Sequence, residues 1–328
     1  MTRLSPLAVV SAIIGLALFA LMIRQAGVEP ILTGIQRLGV AGFAIVLACA
    51  VGRMLLRAVA WTLCTDEGAR IPLGDALRAV MAGDAIGNVT PLGLLASEPI
   101  KAAMVRHRIS LMDALASITI ENLFYTASVV VMIAVGLALL LLDFEVSGAL
   151  RTMSLGALAA LAAGAIGIVV VLSRGWKPVS ATVAWLERRQ RGPAGLRSRL
   201  EKLRTLEEQV YSFHERHPTR TPLVVGAEIG FHLLAVVEMW VTLALLTGTA
   251  PSLLAVFILE AVNRAITVAF KFVPLRLGVD EAGSELLVRT LTLPAGLGVT
   301  MAIIRKARVL SLSSAGLWWF STRAGNAR

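Results

Sequence analysis

The sequence predicts an all-α integral membrane protein, with about seven spanning helices and two broken or re-entrant segments in two related halves. Three observations carry that prediction. Apolar residues make up 57% of the 328-residue chain and charged residues only 16%, with a mean hydropathy of +0.78, a balance foreign to water-soluble domains. Uncharged runs at residues 5–23, 123–142 and 152–173 are each long enough to cross a hydrocarbon core of about 30 Å as a helix. A segment rich in proline and glycine occurs in the first half of the chain and has an echo in the second.

Taken in order, residues 5–23 are longer than the core of a signal peptide, follow a single Arg3 and show no small-x-small cleavage site before Arg24, so they read as a retained helix. Residues 38–65 form the next span and carry Arg53 and Arg57; Cys49 and Cys64 on the same segment read as small buried residues. After the first broken segment, residues 80–101, come the clean spans 123–142 and 152–173. Small residues at i,i+4 spacing in 156–167 suggest close helix contact. Residues 174–220 hold eleven Lys/Arg against Glu187, Glu201, Glu207, Glu208 and Glu215, spaced as on an amphipathic helix. By the positive-inside rule this basic insert is cytoplasmic. Later spans at 221–249, 252–272 and 297–322 contain buried-looking charge: Glu228 and Glu238, then Glu260, Arg264 and Lys271, then Arg305, Lys306 and Arg308. The second broken segment, 273–294, lies between the last two. If both broken segments return to their own side, Arg328 is outside. The formal net charge of +10 reads as cytoplasmic-face charge and attraction to anionic lipid, and no nucleic-acid partner is expected.

Gly83, Gly87, Pro91, Gly93 and Pro99 fall at intervals that an unbroken spanning helix would avoid. Irregular backbone at membrane depth needs protein or a water-filled cavity to satisfy its polar groups, which predicts a hairpin lining a cavity. Aligning Pro91 with Pro274 also matches Leu92 with Leu275, Leu94 with Leu277 and Glu98 with Glu281. Asn88 and Lys271 precede the two copies. About 24 positions beyond each Glu stands another charge, Glu121 in the first copy and Arg305 in the second. Paired interrupted segments point to a transporter site between structural repeats.

These segments resemble the two signature regions of the lysylphosphatidylglycerol synthase transmembrane-region family, the flippase-like domain, which includes hopanoid-associated membrane proteins. Its first motif has the form N-x-x-x-P-G-x-x-G-G-E with a basic residue soon after, followed by a helix with a Glu-Arg pair. Asn88, Pro91, Gly93 and Glu98 keep that order, Lys101 stands at the basic position and Glu121-Asn122 at the pair. The second motif, P-x-x-x-G-x-x-E-G/A, is matched by Pro274, Gly278, Glu281 and Ala282-Gly283, with Arg264 ahead and Arg305 in the helix beyond. Departures are Ala96-Ser97 for Gly-Gly, Asn122 for arginine, and Arg276 inside the second motif. The resemblance implies a lipid transporter or flippase of the bacterial cytoplasmic membrane, and not an enzyme. The family's synthases carry a soluble aminoacyl-transfer domain after the membrane part, whereas this sequence stops at Arg328, so lysyl transfer is not implied.

Ionised groups at membrane depth cost about 2.5–3.5 kcal/mol each on insertion scales, so they pair or line water. Arg53 and Arg57 are i,i+4 and alike in sign, so they need an anion or a carboxylate such as Glu98, Glu121 or Glu281. Arg264 pairs with Glu260 on its own helix. Arg305 and Arg308 share a face, and Lys306 is expected to snorkel to headgroups. Guanidinium forks suit phosphate oxygens, so the expected site holds a lipid headgroup on Arg53, Arg57, Arg264 and Arg305, with the carboxylates keeping the arginines oriented. Lys101, Asn88 and Lys271 complete the candidate set, and Glu98 or Glu281 is a candidate for proton coupling. His232, one turn after Glu228, reads as packing. No nucleotide-binding loop is present, so no cofactor is expected. Two other readings stay open: an enzyme modifying a lipid headgroup with Glu98 or Glu281 as base, and a scaffold recruiting a soluble partner through 174–220. The partners expected are a membrane lipid, with a homo-oligomer or a soluble lipid-modifying protein left open.

Overall fold

The computed structural model describes residues 20–66, 68–89, 93–146, 148–173, 207–271 and 273–326, with a few isolated positions between them. All regular structure among these residues is helical, as expected of a chain that must satisfy its backbone inside hydrocarbon. The helices are α1 (Val28–Leu63), α2 (Leu73–Val89), α3 (Gly93–Val105), α4 (Leu111–Asp143), α5 (Gly148–Ser173), α6 (Phe213–Arg216), α7 (Thr221–Thr247), α8 (Leu253–Ala269), α9 (Val279–Thr290) and α10 (Leu297–Asn326), with a 3-10 turn at Pro274–Arg276. Four of them, α1, α4, α5 and α7, are long and apolar enough to cross a membrane. The predicted span 252–272 is the 17-residue α8, and 297–322 lies within the 30-residue α10, whose middle is charged. Most of the predicted span 5–23 and most of the basic insert lie outside the described residues.

Local chemistry sets the helix ends. Ser110 caps α4: its hydroxyl accepts from the Asp113 N–H and donates to the Asp113 carboxylate. Thr221-Pro222 opens α7, where the missing proline N–H is no loss, and Gly248 closes it at φ 72° with its N–H bonded to Ala244. Gly39 at φ 60° bends α1.

The first broken segment is a helical hairpin, α2 packed against α3 with Pro99 inside α3. The second is the 3-10 turn followed by α9. Leu275 and Arg276 there stand at φ 50° and 48°, a left-handed conformation that costs roughly 1–2 kcal/mol per non-glycine residue. The turn lies against α2, so the two broken segments meet.

The helix pairings repeat. α1 packs on α7 along the longest contact, and around them α1–α2, α2–α3, α3–α4, α4–α8, α1–α4 and α4–α7 correspond to α7–α8, α8–α9, α9–α10, α10–α2, α7–α10 and α10–α1. The corresponding crossings even use glycine alike. A Cβ on Gly136 of α4 would lie 2.1 Å from that of Ala261 on α8, and one on Gly316 of α10 would lie 2.4 Å from the Met81 carbonyl oxygen on α2. Gly136 follows Met81 by 55 residues and Gly316 follows Ala261 by 55. Two related halves therefore interlock, each placing a short helix against the other's long one.

α5 packs on α4, with Ala157, Leu158 and Leu161 against the core, while a Cβ on Gly156, Gly164 or Gly167 would meet nothing within 4 Å among the described residues, so these glycines mark no close crossing there. The end of the basic insert is anchored: Phe213 is buried beside Cys64, Ile120 and Val224, Arg220 donates to the Thr65 carbonyl at 2.7 Å, and Arg216 and His217 reach Asp66. Burial raises the Asp66 carboxyl, but the bond to His217 at 2.9 Å and the Arg216 charge outweigh it and hold the group below its usual range. A carboxyl with a depressed folded pKa stabilises the docked state above its unfolded pKa and loses that contribution as pH falls through the folded value. Amide protection factors in 207–220, corrected for the intrinsic exchange rate at each pH, should therefore fall on acidification below about pH 4, and Asp66→Asn should show the lower protection already at neutral pH. An unchanged exchange profile in the variant would refute the clamp.

Candidate functional site

The buried charges sort into two networks. In the first, Arg57 of α1 donates to both oxygens of Glu121 on α4, at 3.0 and 3.2 Å, and to Asn122 at 3.3 Å. Its guanidinium lies 4.4 Å from the centre of the Tyr125 ring. Asp84 of α2 bridges Arg57 at 3.8 Å and Lys101 of α3 at 3.2 Å, and Lys101 also meets Glu98 at 3.4 Å. Gly83 makes room for Lys101: a Cβ there would stand 2.5 Å from its Cγ. This network fastens the first hairpin to α1 and α4 and sets three carboxylates against two cations, with Glu98 Oε2 buried and without a hydrogen bond among the described residues.

The second network lines a partly open cleft between α1, α7, α8, the 3-10 turn and α10. Arg53 of α1 donates to Glu238 of α7 at 3.1 Å, and Arg308 of α10 takes the other oxygen of the same carboxylate. Glu260 holds Arg264 at 2.9 Å, one turn apart on α8. Arg53 and Arg264 both lie over the Phe231 ring, at 4.5 and 5.5 Å, so the π-face offsets part of their mutual repulsion. Arg276 enters from the strained turn and is held by Asp280 at 3.3 Å, behind which Lys306 meets Asp280 at 3.5 Å and Glu281 at 2.7 Å. Lys306 is thus an internal partner for the second broken segment and does not snorkel to headgroups, because Asp280 and the fully buried Glu281 both need a cation.

What remains unanswered in this cleft is all donors. Arg53 Nε, Arg264 Nε, Arg305 Nη2 and Asn263 Nδ2 are buried without an acceptor, while Asn263 Oδ1 already receives the Ser284 hydroxyl at 2.9 Å. Arg305 has no carboxylate within ion-pair distance among the described residues. Buried donors without acceptors are costly, and an oxyanion placed among these four would accept from all of them. A second cleft, more apolar, lies on the other side of Arg53 and Arg308, lined also by Met54, Met81, Asp84 and Asn88.

Across residues 8–315 the chain matches the family of the lysylphosphatidylglycerol synthase TM region. The chain belongs to this family. No curated protein and no solved structure matches it. As a lysylphosphatidylglycerol synthase TM region, it is a multi-pass membrane protein of a family related to lipid handling.

Within this family member, Arg53, Arg264 and Arg305 line the charged cleft, and Asn88 lines its neighbour. Arg57, Glu121, Lys101 and Glu98 belong to the first network instead. Glu98 and Glu281, matched in the two halves, each meet a lysine and line neither cleft. Lys271 is exposed beyond the end of α8. Glu238, Arg308 and Arg276, named in the sequence but not among its candidate site residues, line the cleft, and Asp84 was not singled out at all. Glu238 had a signal, since a lone carboxylate in an apolar helix requires a cation from elsewhere, but only packing shows that Arg53 and Arg308 supply it. His232 packs, stacked on Tyr125 with Nε2 2.9 Å from the Ser128 hydroxyl.

Proposed function

We propose that the chain is a flippase-like lipid transporter of a bacterial cytoplasmic membrane, and that the arginine cleft binds the anionic headgroup of its lipid. The convergence of Arg53, Arg264, Arg305 and Asn263 donors without acceptors on one open cleft carries this reading. The cleft lies between α1 of the first half and α7, α8, the 3-10 turn and α10 of the second, as expected for a substrate site between repeats. In this reading α2–α3 and the turn with α9 re-enter the membrane, and the acyl or prenyl chains remain in the bilayer. Glu238 and Glu260, the carboxylates on the cleft, both already hold arginines, which favours transport over a headgroup transferase needing a free general base.

Lipids retained by the purified protein should include one anionic class enriched over the membrane average, read by mass spectrometry. Glu260→Gln with Arg264→Gln removes one ion pair together and should abolish the enrichment while the protein still folds. Equal bulk lipid on both proteins would make the buried charges structural and sink the proposal.

A further inference from the structure

Counting charges around the cleft constrains the ligand further. Arg264 is answered by Glu260, and the pair Arg276 and Lys306 by the pair Asp280 and Glu281. Arg53 and Arg308 share the single carboxylate of Glu238, which leaves one positive charge over. Arg305, with Nη2 buried and unpartnered, adds a second. Two guanidinium charges in excess at membrane depth, without a counter-ion among the described residues, suit a partner carrying two negative charges. A phosphodiester supplies one; a phosphomonoester above its second ionisation near pH 6, or a diphosphate, supplies two. The donors fit the same ligand. Three guanidinium N–H groups and one amide N–H are open, and a terminal phosphate presents three oxygens able to accept more than one bond each, where a phosphodiester presents two unesterified ones.

We infer that the cleft selects a doubly charged phosphate headgroup, a phosphomonoester or a diphosphate, over the single charge of a phosphodiester lipid. The inference rests on the reading of the cleft as a headgroup site and names the class of headgroup. Arg305 is its specificity-determining residue, because among the described residues it is the cleft arginine with no carboxylate in ion-pair reach, while Asn263 sets the position of one phosphate oxygen through its free amide.

The test uses the full chain in phosphatidylcholine nanodiscs at pH 8, where a phosphomonoester is mostly doubly ionised. Phosphatidic acid and phosphatidylglycerol with identical acyl chains compete for retention. Wild type should prefer phosphatidic acid by about tenfold, the size of one extra charge-assisted hydrogen bond. Arg305→Gln should bring that ratio close to unity with phosphatidylglycerol still retained, and Arg305→Lys should keep most of the preference. Because Arg305→Gln removes an unanswered buried charge, its thermal unfolding should be at or above wild type, which separates a lost ligand from a lost fold. Equal retention of the two anionic lipids by wild type, with both lost in the Glu260→Gln, Arg264→Gln variant, would overturn the charge inference and leave the headgroup site standing. No preference for either over phosphatidylcholine would overturn both. Complete displacement of phosphatidic acid by excess inorganic phosphate would make free phosphate the ligand and overturn the lipid assignment.

Discussion

Glu238→Ala should destabilise the protein more than any other single substitution at the cleft, by about 3–5 kcal/mol, because it leaves two buried guanidinium groups without their shared carboxylate. Both Arg53 and Arg308 are nearly buried, and each reaches a different oxygen of Glu238, so neither has another carboxylate partner among the described residues. The three helices α1, α7 and α10 are joined at this point, and two clefts adjoin the same pair of arginines. Loss of the link should therefore open the chain there first. The companion variant is Arg53→Met, Glu238→Leu, Arg308→Met, which removes all three charges at similar volume. Replacing a buried ionic group with packed apolar residues is often neutral or stabilising, so the triple variant should recover most of the unfolding midpoint. Lipid retention should stay lost in it. A triple variant that regains selective lipid retention would show that the arginines serve packing alone.

The second large effect is expected at the interlocked crossings. Gly136→Leu and Gly316→Leu should each cost about 3 kcal/mol or more, since neither neighbour is a flexible chain end that can swing away. At Gly136 the obstacle is Ala261 Cβ, and at Gly316 it is the backbone carbonyl of Met81. The control is Gly164→Leu on α5, where nothing among the described residues stands within 4 Å and the cost should be within about 0.5 kcal/mol. Thermal or denaturant unfolding in one detergent measures all three. If Gly136→Leu is harmless while Gly316→Leu is not, the two halves do not share this packing and their correspondence is confined to connectivity.

Much of this was legible in the residues. Arg53, Arg264 and Arg305 stood out because a charge in an apolar helix is expensive wherever it ends up, so each marks a place where something must answer it. The broken segments stood out for a related reason: proline and glycine at those intervals cannot sit in a lipid-facing helix, and the spacing Pro-Leu-x-Leu-x-x-x-Glu written twice tied the halves together. Periodicity could not say who answers whom. Glu121 was one of several carboxylates that suited Arg57, and its bidentate grip exists because α4 crosses α1 at that depth. Asp84 carried no signal in the sequence, and its place between Arg57 and Lys101 comes from the packing of α2 against α1 and α3.

By itself the sequence determined that the chain lives in a membrane, that it is helical, that it carries two interrupted segments of common pattern, and which arginines are costly to bury. These follow from composition and local geometry, where each residue's transfer free energy and backbone preference act without reference to distant parts of the chain. Only the tertiary structure decided which carboxylate meets which arginine, that Lys306 turns inward to Asp280 and Glu281, and that Arg305 and the amide of Asn263 are left open on a cleft. The reason is that an ion pair falls off over a few ångströms, while the partners here are brought together from positions up to 185 residues apart, as in Arg53 and Glu238. Charge excess, and with it the class of ligand, is a property of that neighbourhood and of no single stretch of chain.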